Sequence, residues 1–359
     1  MAMTRLQEIE HKHAQIRSLL EQHKAPALWL RRTRNLAWIT AGADASIPVE
    51  TDYGMYSILV TPEKRIVYTN NIELTRLKGE ERFEDLGFEY ASFPWWEPAR
   101  NPDHAGQLTD EGAVEDTLTS WRSVLTEGEQ ERLRALGKDA AAALESTVRG
   151  VKPGMTEFEV AARLDAACKA WGGQVTVNLI GSDARISQYR HPLATFKKVD
   201  KYVMVVVCVR RGGLIVAGTR LGYFGKLPAD VSATLHRIAA IDAAVIAATQ
   251  PGRTLGTVFS DLQAAYQAQG EADQWQLHHQ GGPIAYQGRE RIATPGDPLV
   301  VQAGMAFAWN PSIVGCKSED TILVGAHGNE IVTAHSADWP TVDVDIASET
   351  IRRPGILEL

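Results

Sequence analysis

Histidine is the residue type in this sequence that is best suited to acid–base chemistry near neutral pH. His191 lies in the segment QYRHPLAT, and His278 and His279 open the segment HHQGGPIAYQGRE. An imidazole with an ordinary pKa of about 6.5 can take and return a proton near neutrality, so each is a candidate acid or base. If His278 and His279 lie on a strand, their side chains point to opposite faces of the sheet, and at most one of them faces a substrate pocket.

Charged residues near these histidines indicate substrate binding or ion pairing. Arg289 stands beside Glu290. It either forms a structural ion pair or binds a carboxylate through two parallel hydrogen bonds, as guanidinium geometry favours. Glu319 follows Lys317 by two residues. A buried Glu319 without a metal needs a cationic partner, and we expect Lys317 or Arg220 to supply it.

The three cysteines, Cys168, Cys208 and Cys316, lie far apart in sequence and form no CxxC pair. A thiolate zinc site is therefore not expected. An odd number of unclustered cysteines is typical of a reducing cytoplasm. A nucleophilic cysteine beside a histidine is an alternative chemistry, but a free cysteine is more often a small buried hydrophobic residue.

Length and composition predict a protein of two domains. The chain has 359 residues, of which 44% are hydrophobic and 23% charged, with a net charge of −7. The negative charge argues against a nucleic-acid platform. The N-terminal segment is charged and helical, unlike a signal peptide, and the longest apolar run, residues 202–209, is too short to cross a membrane. We therefore expect a cytoplasmic protein with no nucleic-acid or membrane partner.

The elements that must position these residues fall into two parts. Residues 1–125 predict a small α/β domain, with a helix over residues 4–24, a hairpin turn at residues 61–64 and an irregular linker over residues 92–124. Residues 126–359 contain an internal repeat, in which Pro153-Gly154 and Pro251-Gly252 are 98 residues apart.

Each half of the repeat shows two helices and then two strands. The helices are expected at residues 127–150 and 157–171 in the first half and at 230–249 and 258–269 in the second. The strands are expected at residues 203–209, 213–219, 305–310 and 320–324. This order predicts an α+β domain with a pseudo-two-fold axis, and chance recurrence of a Pro-Gly helix stop is the alternative.

Three strings resemble motifs of the pita-bread superfamily, which includes creatinase, proline dipeptidase, aminopeptidase P and methionine aminopeptidase. They are GMAFAWNPSIVG…SEDTILV, HHQGGPIAYQGRE and GGLIVAGTRLGYFG, within a resemblance that covers roughly residues 128–335. The first domain resembles the creatinase-type N-terminal domain. The resemblance implies an α+β pita-bread catalytic-type domain preceded by a small α/β domain, and a homodimer.

The peptidases of this superfamily hold two divalent metals with two Asp, one His and two Glu, which supply the negative charge that the cations need. By the resemblance, the two Asp positions fall on Val206 and Ala217, and the metal His falls on Gly282. One Glu position falls on Asn310, and only the last is kept, as Glu319. The resemblance therefore implies a member that lacks most metal ligands, and we expect neither a metal nor another cofactor.

Creatinase is the informative relative, because it hydrolyses a C–N bond without metal. There a His acts as acid and base and Glu residues hold the substrate. His191 and Glu319 match such positions, and His278 matches a second His near the substrate. We therefore predict catalytic roles for His191, Glu319 and His278, and substrate binding by His279, Arg289, Glu290, Asn310 and Lys317.

Three functions remain open from the sequence. The favoured one is a metal-independent, creatinase-like hydrolase or lyase that acts on a small polar C–N compound, with His191 as acid and base. The second is a catalytically inactive pseudo-peptidase that binds a ligand, a short peptide or a partner protein. The third is an Xaa-Pro metallopeptidase with a relocated metal on His191, His278, His279, Glu290 and Glu319.

Overall fold

The computed structural model describes residues 3–97, 102, 106–347 and 349–359. The chain divides into two compact units, Met1–Glu129 with Gly212–Leu214, and Gln130–Arg211 with Ile215–Leu359. The division falls at Glu129, where the sequence suggested residue 125. Each unit has its own sheet and its own buried apolar residues.

The N-terminal unit is built on a mixed five-stranded sheet of order β4-β3-β2-β1-β5. Its strands are β1 Leu28–Arg32, β2 Tyr53–Val60, β3 Arg65–Asn70, β4 Phe88–Phe93 and β5 Leu108–Thr109. Its helices are α1 Arg5–His23, α2 Thr33–Ile39, α3 Asn71–Arg76 and α4 Ala113–Ser123. Strands β2 and β3 form the predicted hairpin, closed by a hydrogen bond from Thr61 N to Lys64 O of 2.9 Å.

Helix α4 corrects the prediction that residues 92–124 are irregular. Val114 and Leu118 are four residues apart and both buried, which gives the helix one apolar face. Trp121 stacks on Trp38 with ring centroids 6.0 Å apart. The helix was missed because a stripe this short is masked by its acidic neighbours Glu115 and Asp116. Residues 98–101 and 103–105 of the predicted linker lie outside the described residues.

The C-terminal unit has two helix pairs and two four-stranded sheets. Its helices are α5 Glu127–Arg149, α6 Glu157–Lys169, α7 Ala184–Gln188, α8 Ala229–Ala248 and α9 Leu255–Ala268. Its strands are β6 Gln174–Ser182, β7 Tyr202–Arg211, β8 Leu214–Tyr223, β9 Gly281–Pro283, β10 Ala306–Trp309, β11 Ser312–Ile313, β12 Cys316–Lys317, β13 Asp320–Val324, β14 Asn329–Ile331, β15 Thr341–Ile346, β16 Glu349–Pro354 and β17 Ile356–Glu358. The sheet orders are β17-β8-β7-β6 and β14-β13-β10-β9.

The internal repeat is confirmed by matching backbone contacts. Gly154 N donates to Val199 O at 2.8 Å, and in the second half Gly252 N donates to Val301 O at 2.9 Å. Both glycines have positive φ, +89° and +86°, a conformation that glycine adopts without strain. Threonine then caps the second helix of each pair, Thr156 on α6 and Thr254 on α9.

The two sheets are joined between the middle of β8 and the start of β13. Thr219 N, on β8, donates to Glu319 O at 3.0 Å. The backbone N–H and C=O of Ala217 bond to the hydroxyl of Thr321 at 2.8 and 2.9 Å. These bonds place the residue that precedes β13, Glu319, against the middle of β8.

Helix α8 is long and apolar enough to cross a membrane by length and composition alone. Half of that apolar stretch is buried inside the protein, as in a core helix. Helix α8 also carries the buried Asp242, which bonds to Ser318 and to Arg353. A charged residue with two buried partners is typical of a helix packed in a protein core.

Asp242 belongs to a buried group that we call the arginine–aspartate network, formed by Arg220, Asp242, Asp320 and Arg353. Arg220 Nη1 lies 3.0 Å from Asp320 Oδ1. Arg353 Nη2 lies 2.6 Å from Asp320 Oδ2 and 2.7 Å from Asp242 Oδ2. Two guanidinium groups therefore face two carboxylates, and the network carries no surplus charge.

Candidate functional site

The predicted site residues sit at the ends of short elements in the C-terminal unit. His191 lies in the loop after α7, and His278 and His279 lie between a 3₁₀ turn, Gln274–Leu277, and strand β9. Lys317 ends β12, and Glu319 lies directly before β13. Strand ends and loops leave side chains free to turn toward a common space, which a ladder of paired strands does not.

His191, His278 and His279 form one group, which we call the histidine cluster. One ring nitrogen of each lies within 4.8 Å of one ring nitrogen of each of the others. The expectation that at most one of His278 and His279 faces the pocket is wrong. Both residues lie outside the strand ladder, so side-chain alternation does not apply, and their ring centroids are 4.7 Å apart.

Two of the histidines share a hydrogen bond through their Nε2 atoms. His191 Nε2 and His278 Nε2 are 2.8 Å apart, and His278 Nδ1 is 3.3 Å from Ser312 Oγ. Only one of two bonded nitrogens can carry the proton, so the tautomer of His278 is tied to that of His191. His278 is buried, whereas His191 is exposed, and the described residues give no hydrogen bond to His191 Nδ1.

Glu319 is the centre of a second group, which we call the glutamate hub, formed by Glu319, Lys317, Arg289 and Thr219. Lys317 Nζ lies 2.8 Å from Glu319 Oε2, and Arg289 Nη2 donates to Glu319 Oε1 at 3.2 Å. Thr219 Oγ1 donates to Oε2 at 2.8 Å. Of the two expected partners, Lys317 is the one that pairs with Glu319, and Arg220 bonds to Asp320 instead.

The cations of the hub set the protonation of the site. Burial raises the pKa of Glu319, but the charges of Lys317 and Arg289 outweigh it and lower that pKa to about 2. Burial and the charge of Lys317 lower the pKa of His278 to about 2. Burial and the charge of Arg289 lower the pKa of His279 to about 4, and burial lowers that of His191. Near neutral pH the three imidazoles are therefore uncharged.

Arg289 and Glu290 serve different groups. Arg289 reaches the glutamate hub, while Glu290 Oε1 accepts hydrogen bonds from the backbone N–H groups of Tyr286 and Gln287 at 2.9 and 3.2 Å. Glu290 thus holds the loop that carries Arg289. Glu290 Oε2 also accepts from the side chain of Gln287 at 3.2 Å.

Asn310 lies beside the site, between neighbouring backbone segments. Its backbone N–H donates to Gln280 O at 3.1 Å, and its side chain is buried. Three buried atoms in this region have no hydrogen-bond partner within the described residues, namely Asn310 Oδ1, His279 Nδ1 and Arg289 Nε. A ligand or a water molecule at this place would give these atoms hydrogen-bond partners.

The backbone at Gly281 and Gly282 is too crowded for a side chain. Their φ values are +106° and +149°. A Cβ on Gly281 would lie 2.1 Å from Ala308 O, and a Cβ on Gly282 would lie 2.2 Å from Arg291 O. Both obstacles are backbone atoms, so glycine is required for this path of the chain.

The sequence motifs also single out Val206 on β7 and Ala217 on β8, which are both buried. Val206 pairs with Leu179 of the neighbouring strand β6. Cys208 and Cys316 are buried as well, and burial raises the pKa of these thiols to about 11 and about 12. Such thiols stay protonated near neutral pH, which argues against a nucleophilic cysteine.

The sequence reasoning missed Thr219 and Ser312 as members of the two site groups. Tyr266 holds Ser312 in place, because its hydroxyl accepts from Ser312 N at 2.9 Å. Ser312 lies two residues after Asn310, and Thr219 lies in the motif GTRLGYFG, so proximity to those motifs was the available signal.

A family model for metallopeptidase family M24 matches residues 131–326 of the sequence. The chain belongs to metallopeptidase family M24. Two relatives are uncharacterized peptidases of Staphylococcus saprophyticus and Staphylococcus aureus, 26% and 24% identical over 239 and 232 residues. Each alignment covers 62% of this chain and 66% of the relative, so the chain spans about two thirds of the length of these relatives.

Solved structures confirm the α+β pita-bread fold that the sequence predicted. A prolidase from Pyrococcus horikoshii matches with a TM-score of 0.75 and 18% identity, covering 91% of this chain and 99% of that one. An Xaa-Pro dipeptidase from Bacillus anthracis matches with a TM-score of 0.72 and 16% identity, covering 91% and 98%. At this level of identity the likeness establishes the fold of this M24 protein.

Proposed function

We propose that this M24 protein is a metal-independent hydrolase or lyase that acts on a C–N bond of a small polar molecule, with His191 as acid and base. The observation that carries the proposal is the chain of contacts from Ser312 through His278 to His191. A histidine oriented by a second group is the arrangement that general acid–base catalysis uses.

The residues at the positions matched to metal ligands do not fit a dinuclear centre. Val206 and Ala217 offer no ligand atom, and Gly282 has no room for a side chain. Asn310 offers one neutral oxygen, so Glu319 is the only anionic group at these positions. Two divalent cations need several carboxylates to replace water and balance their charge.

The surroundings of Glu319 also argue against a dinuclear metal centre. Both of its oxygens accept from hub residues, Oε1 from Arg289 and Oε2 from Lys317 and Thr219. A metal at Glu319 would have to displace an ammonium or a guanidinium group that already neutralises the carboxylate. We therefore derive no catalytic step through a dinuclear centre.

The proposed chemistry uses the free nitrogen of His191. Nε2 of His191 is hydrogen-bonded to His278, so Nδ1 of His191 is the atom that faces the substrate. In a hydrolysis, His191 Nδ1 accepts a proton from the attacking water and returns it to the leaving nitrogen as the C–N bond breaks. In an elimination, the same nitrogen accepts the proton from carbon and returns it to the leaving nitrogen. An uncharged imidazole is the form that can accept the first proton.

The test is turnover of a panel of small C–N compounds by protein treated with a chelator. We expect activity that survives the chelator and falls by about 10²–10⁴-fold in His191→Ala. His236→Ala, an exposed histidine on α8, is the matched control and should keep full activity. Specific ligand binding without any turnover would instead favour the inactive pseudo-peptidase.

A second function rests on the histidine cluster. Three ring nitrogens within 4.8 Å of one another are the ligand set of a single divalent metal, with an open position for water. We propose a mononuclear Xaa-Pro metallopeptidase as this second candidate. The positive charges of Lys317 and Arg289 nearby weigh against it, because they repel a cation.

Elemental analysis of protein purified without chelator separates the two candidates. About one equivalent of zinc, manganese or cobalt per chain, with Xaa-Pro cleavage that chelator abolishes, would replace the first candidate with the second. Substoichiometric metal together with chelator-resistant turnover would retain the first.

A further inference from the structure

We propose that Arg190 is a positioning residue that holds His191 in hydrogen-bond contact with His278 by binding the side chain of Gln274. This inference rests on the proposed function for its catalytic meaning, because His191 is the residue that we assign as acid and base. The contact itself is a separate property that needs no turnover.

His191 lies in a loop with few backbone anchors. Among the described residues, no backbone N–H of residues 190–194 donates a hydrogen bond. The next N–H with a partner is that of Thr195, which donates to a carboxylate on α6 at 3.0 Å. One carbonyl, Leu193 O, accepts from Arg185 Nη2 at 2.6 Å. A segment with so few backbone hydrogen bonds opens at low cost, so side-chain contacts must hold the ring of His191 in place.

Arg190 supplies such a contact. Its Nη2 donates to Gln274 Oε1, and both side chains are partly buried. Gln274 opens the 3₁₀ turn Gln274–Leu277, and His278 follows that turn directly. The bond between Arg190 and Gln274 therefore joins the residue before His191 to the turn before His278. The 2.8 Å bond between the two imidazoles is a second link between the same two segments.

The turn that receives Arg190 is itself fixed to the protein. Gln274 N donates to Glu271 O at 3.0 Å. The ring of Trp275 packs edge-on against Phe259 of α9, with ring centroids 5.6 Å apart. Trp275 O also accepts from Gln280 Nε2 at 3.0 Å. A bond to this turn therefore ties the loop after α7 to the packed surface of α9.

The chemistry of the pair favours a lasting contact. A guanidinium that donates to an amide oxygen forms a charge-assisted hydrogen bond, which is stronger than one between two neutral groups. Arg190 is half-buried, so its guanidinium loses part of its water, and Gln274 is the one hydrogen-bond partner that the described residues give it. Breaking the bond would leave that donor without a partner, which is costly.

The contact sets the geometry of the proposed proton transfer. A hydrogen bond between two nitrogens is lost when they separate by about 1 Å more than in a good bond. Without the bond to His278, the proton of His191 can occupy either ring nitrogen. Nδ1 of His191 would then no longer be held as the proton acceptor, and catalysis would slow without any loss of a substrate contact.

The experiment follows the protonation of the histidine rings by NMR, in protein with isotopically labelled ring nitrogens. Proton–nitrogen correlations within each ring report which nitrogen carries the proton. In the wild type we expect one fixed tautomer for His191 and one for His278. Arg190→Met should replace the fixed pattern of His191 by an averaged one, and Gln274→Ala should do the same. Arg190→Lys, which keeps a cationic donor, should retain much of the wild-type pattern.

Arg237→Met is the matched control. The guanidinium of Arg237, on α8, donates to Glu271 Oε1 at 3.1 Å, so it contacts the same neighbourhood without touching the loop of His191. Its removal should leave the tautomers of both histidines unchanged.

Kinetics extend the test to the proposed reaction. With a compound that the protein turns over, Arg190→Met and Gln274→Ala should each lower kcat by about tenfold at unchanged KM. The double variant should fall no further than either single one, because both substitutions remove the same bond.

Gln274→Ala is the second variant, in case Arg190→Met does not fold. Unchanged tautomers in either folded variant, or an equal change in Arg237→Met, would overturn the positioning role. The expected tautomer change without turnover of any compound would sink the proposed function and leave the positioning role standing. His191-dependent turnover in which the losses of the two single variants multiply would sink the positioning role alone.

Discussion

Two buried charged groups lie side by side in sequence but differ in composition. Asp320 belongs to the arginine–aspartate network, in which two guanidinium groups face two carboxylates. Its neighbour Glu319 belongs to the glutamate hub, in which two cations share a single carboxylate. The first group is balanced, and the second carries a surplus positive charge next to three uncharged imidazoles.

The difference in charge balance distinguishes buried charges that stabilise the fold from buried charges that belong to a functional site. A balanced network ties α8, β8, β13 and β16 together and leaves no charge for a ligand to neutralise. An unbalanced buried group costs stability, which is typical of a functional site rather than of a structural one. The contrast predicts that substitutions in the network act mainly on folding and that substitutions at the site act more on binding and rate.

The largest effect is expected from Arg353→Met. It leaves Asp242 and Asp320 buried without their shared guanidinium, and we expect a loss of about 3–5 kcal/mol in the free energy of unfolding. Denaturant unfolding measures it. Arg352→Met, whose side chain is 70% exposed, is the control and should change stability by less than about 0.5 kcal/mol. A similar, small loss in both variants would contradict a structural role for the network.

Glu319→Gln tests whether the hub also supports folding. We expect a loss of about 3 kcal/mol at pH 7, since two buried cations lose their carboxylate. The folded pKa of Glu319, about 2, lies below the ordinary value of 4.5. The contribution of Glu319 is therefore complete above pH 4.5 and is lost as the pH falls toward 2.

Unfolding curves of wild type and Glu319→Gln between pH 7 and pH 3 check this prediction. The difference between the two proteins should shrink below pH 4.5. A difference that stays constant over the whole range would show that the ionised carboxylate contributes nothing.

Acid should destabilise the wild-type protein through the histidine cluster. The pKa of His279 is lowered from 6.5 to about 4 in the folded protein. Between these two pH values His279 is protonated in the unfolded chain but not in the folded chain. Stability is thus complete above pH 6.5 and falls as the pH decreases. Between pH 7 and pH 5, His279→Asn should therefore lose less stability than wild type. His236→Asn, at an exposed position, should follow the wild-type curve.

The smallest effect is expected from Ser312→Ala. It removes the hydroxyl that contacts His278 Nδ1 and leaves the two imidazoles in place. We expect kcat to fall by about tenfold, with an altered pH profile and an unchanged KM, because a partner that fixes the tautomer acts on the proton transfer. Ser260→Ala, on α9, is the control. An unaltered pH profile in Ser312→Ala would remove Ser312 from the proposed relay.

Much of the fold was predictable because the signals were local. The Pro-Gly turns, the threonine caps and the apolar strands recur at a spacing that sequence alone reveals, and the structure confirms both halves. Helix α4 was missed because two buried apolar residues, Val114 and Leu118, define its face among acidic neighbours.

The candidate site was predictable in membership but not in pairing. His191, Arg289, Lys317 and Glu319 were chosen as residue types, yet which cation meets which carboxylate depends on how β8 and β13 meet. Asp320 and Glu319 are adjacent, so one residue of register decides which carboxylate receives Arg220 and which receives Lys317. No local pattern carries that information.

The crowded backbone at Gly282 bears on how this protein can change over generations. A histidine there would place its Cβ 2.2 Å from Arg291 O, so a single codon change yields a strained chain before it yields a useful side chain. Strand β9 and the segment around Arg291 would have to shift together first. Single substitutions around His191 can therefore change its chemistry stepwise. A side chain at position 282, in contrast, requires a change of the neighbouring backbone as well.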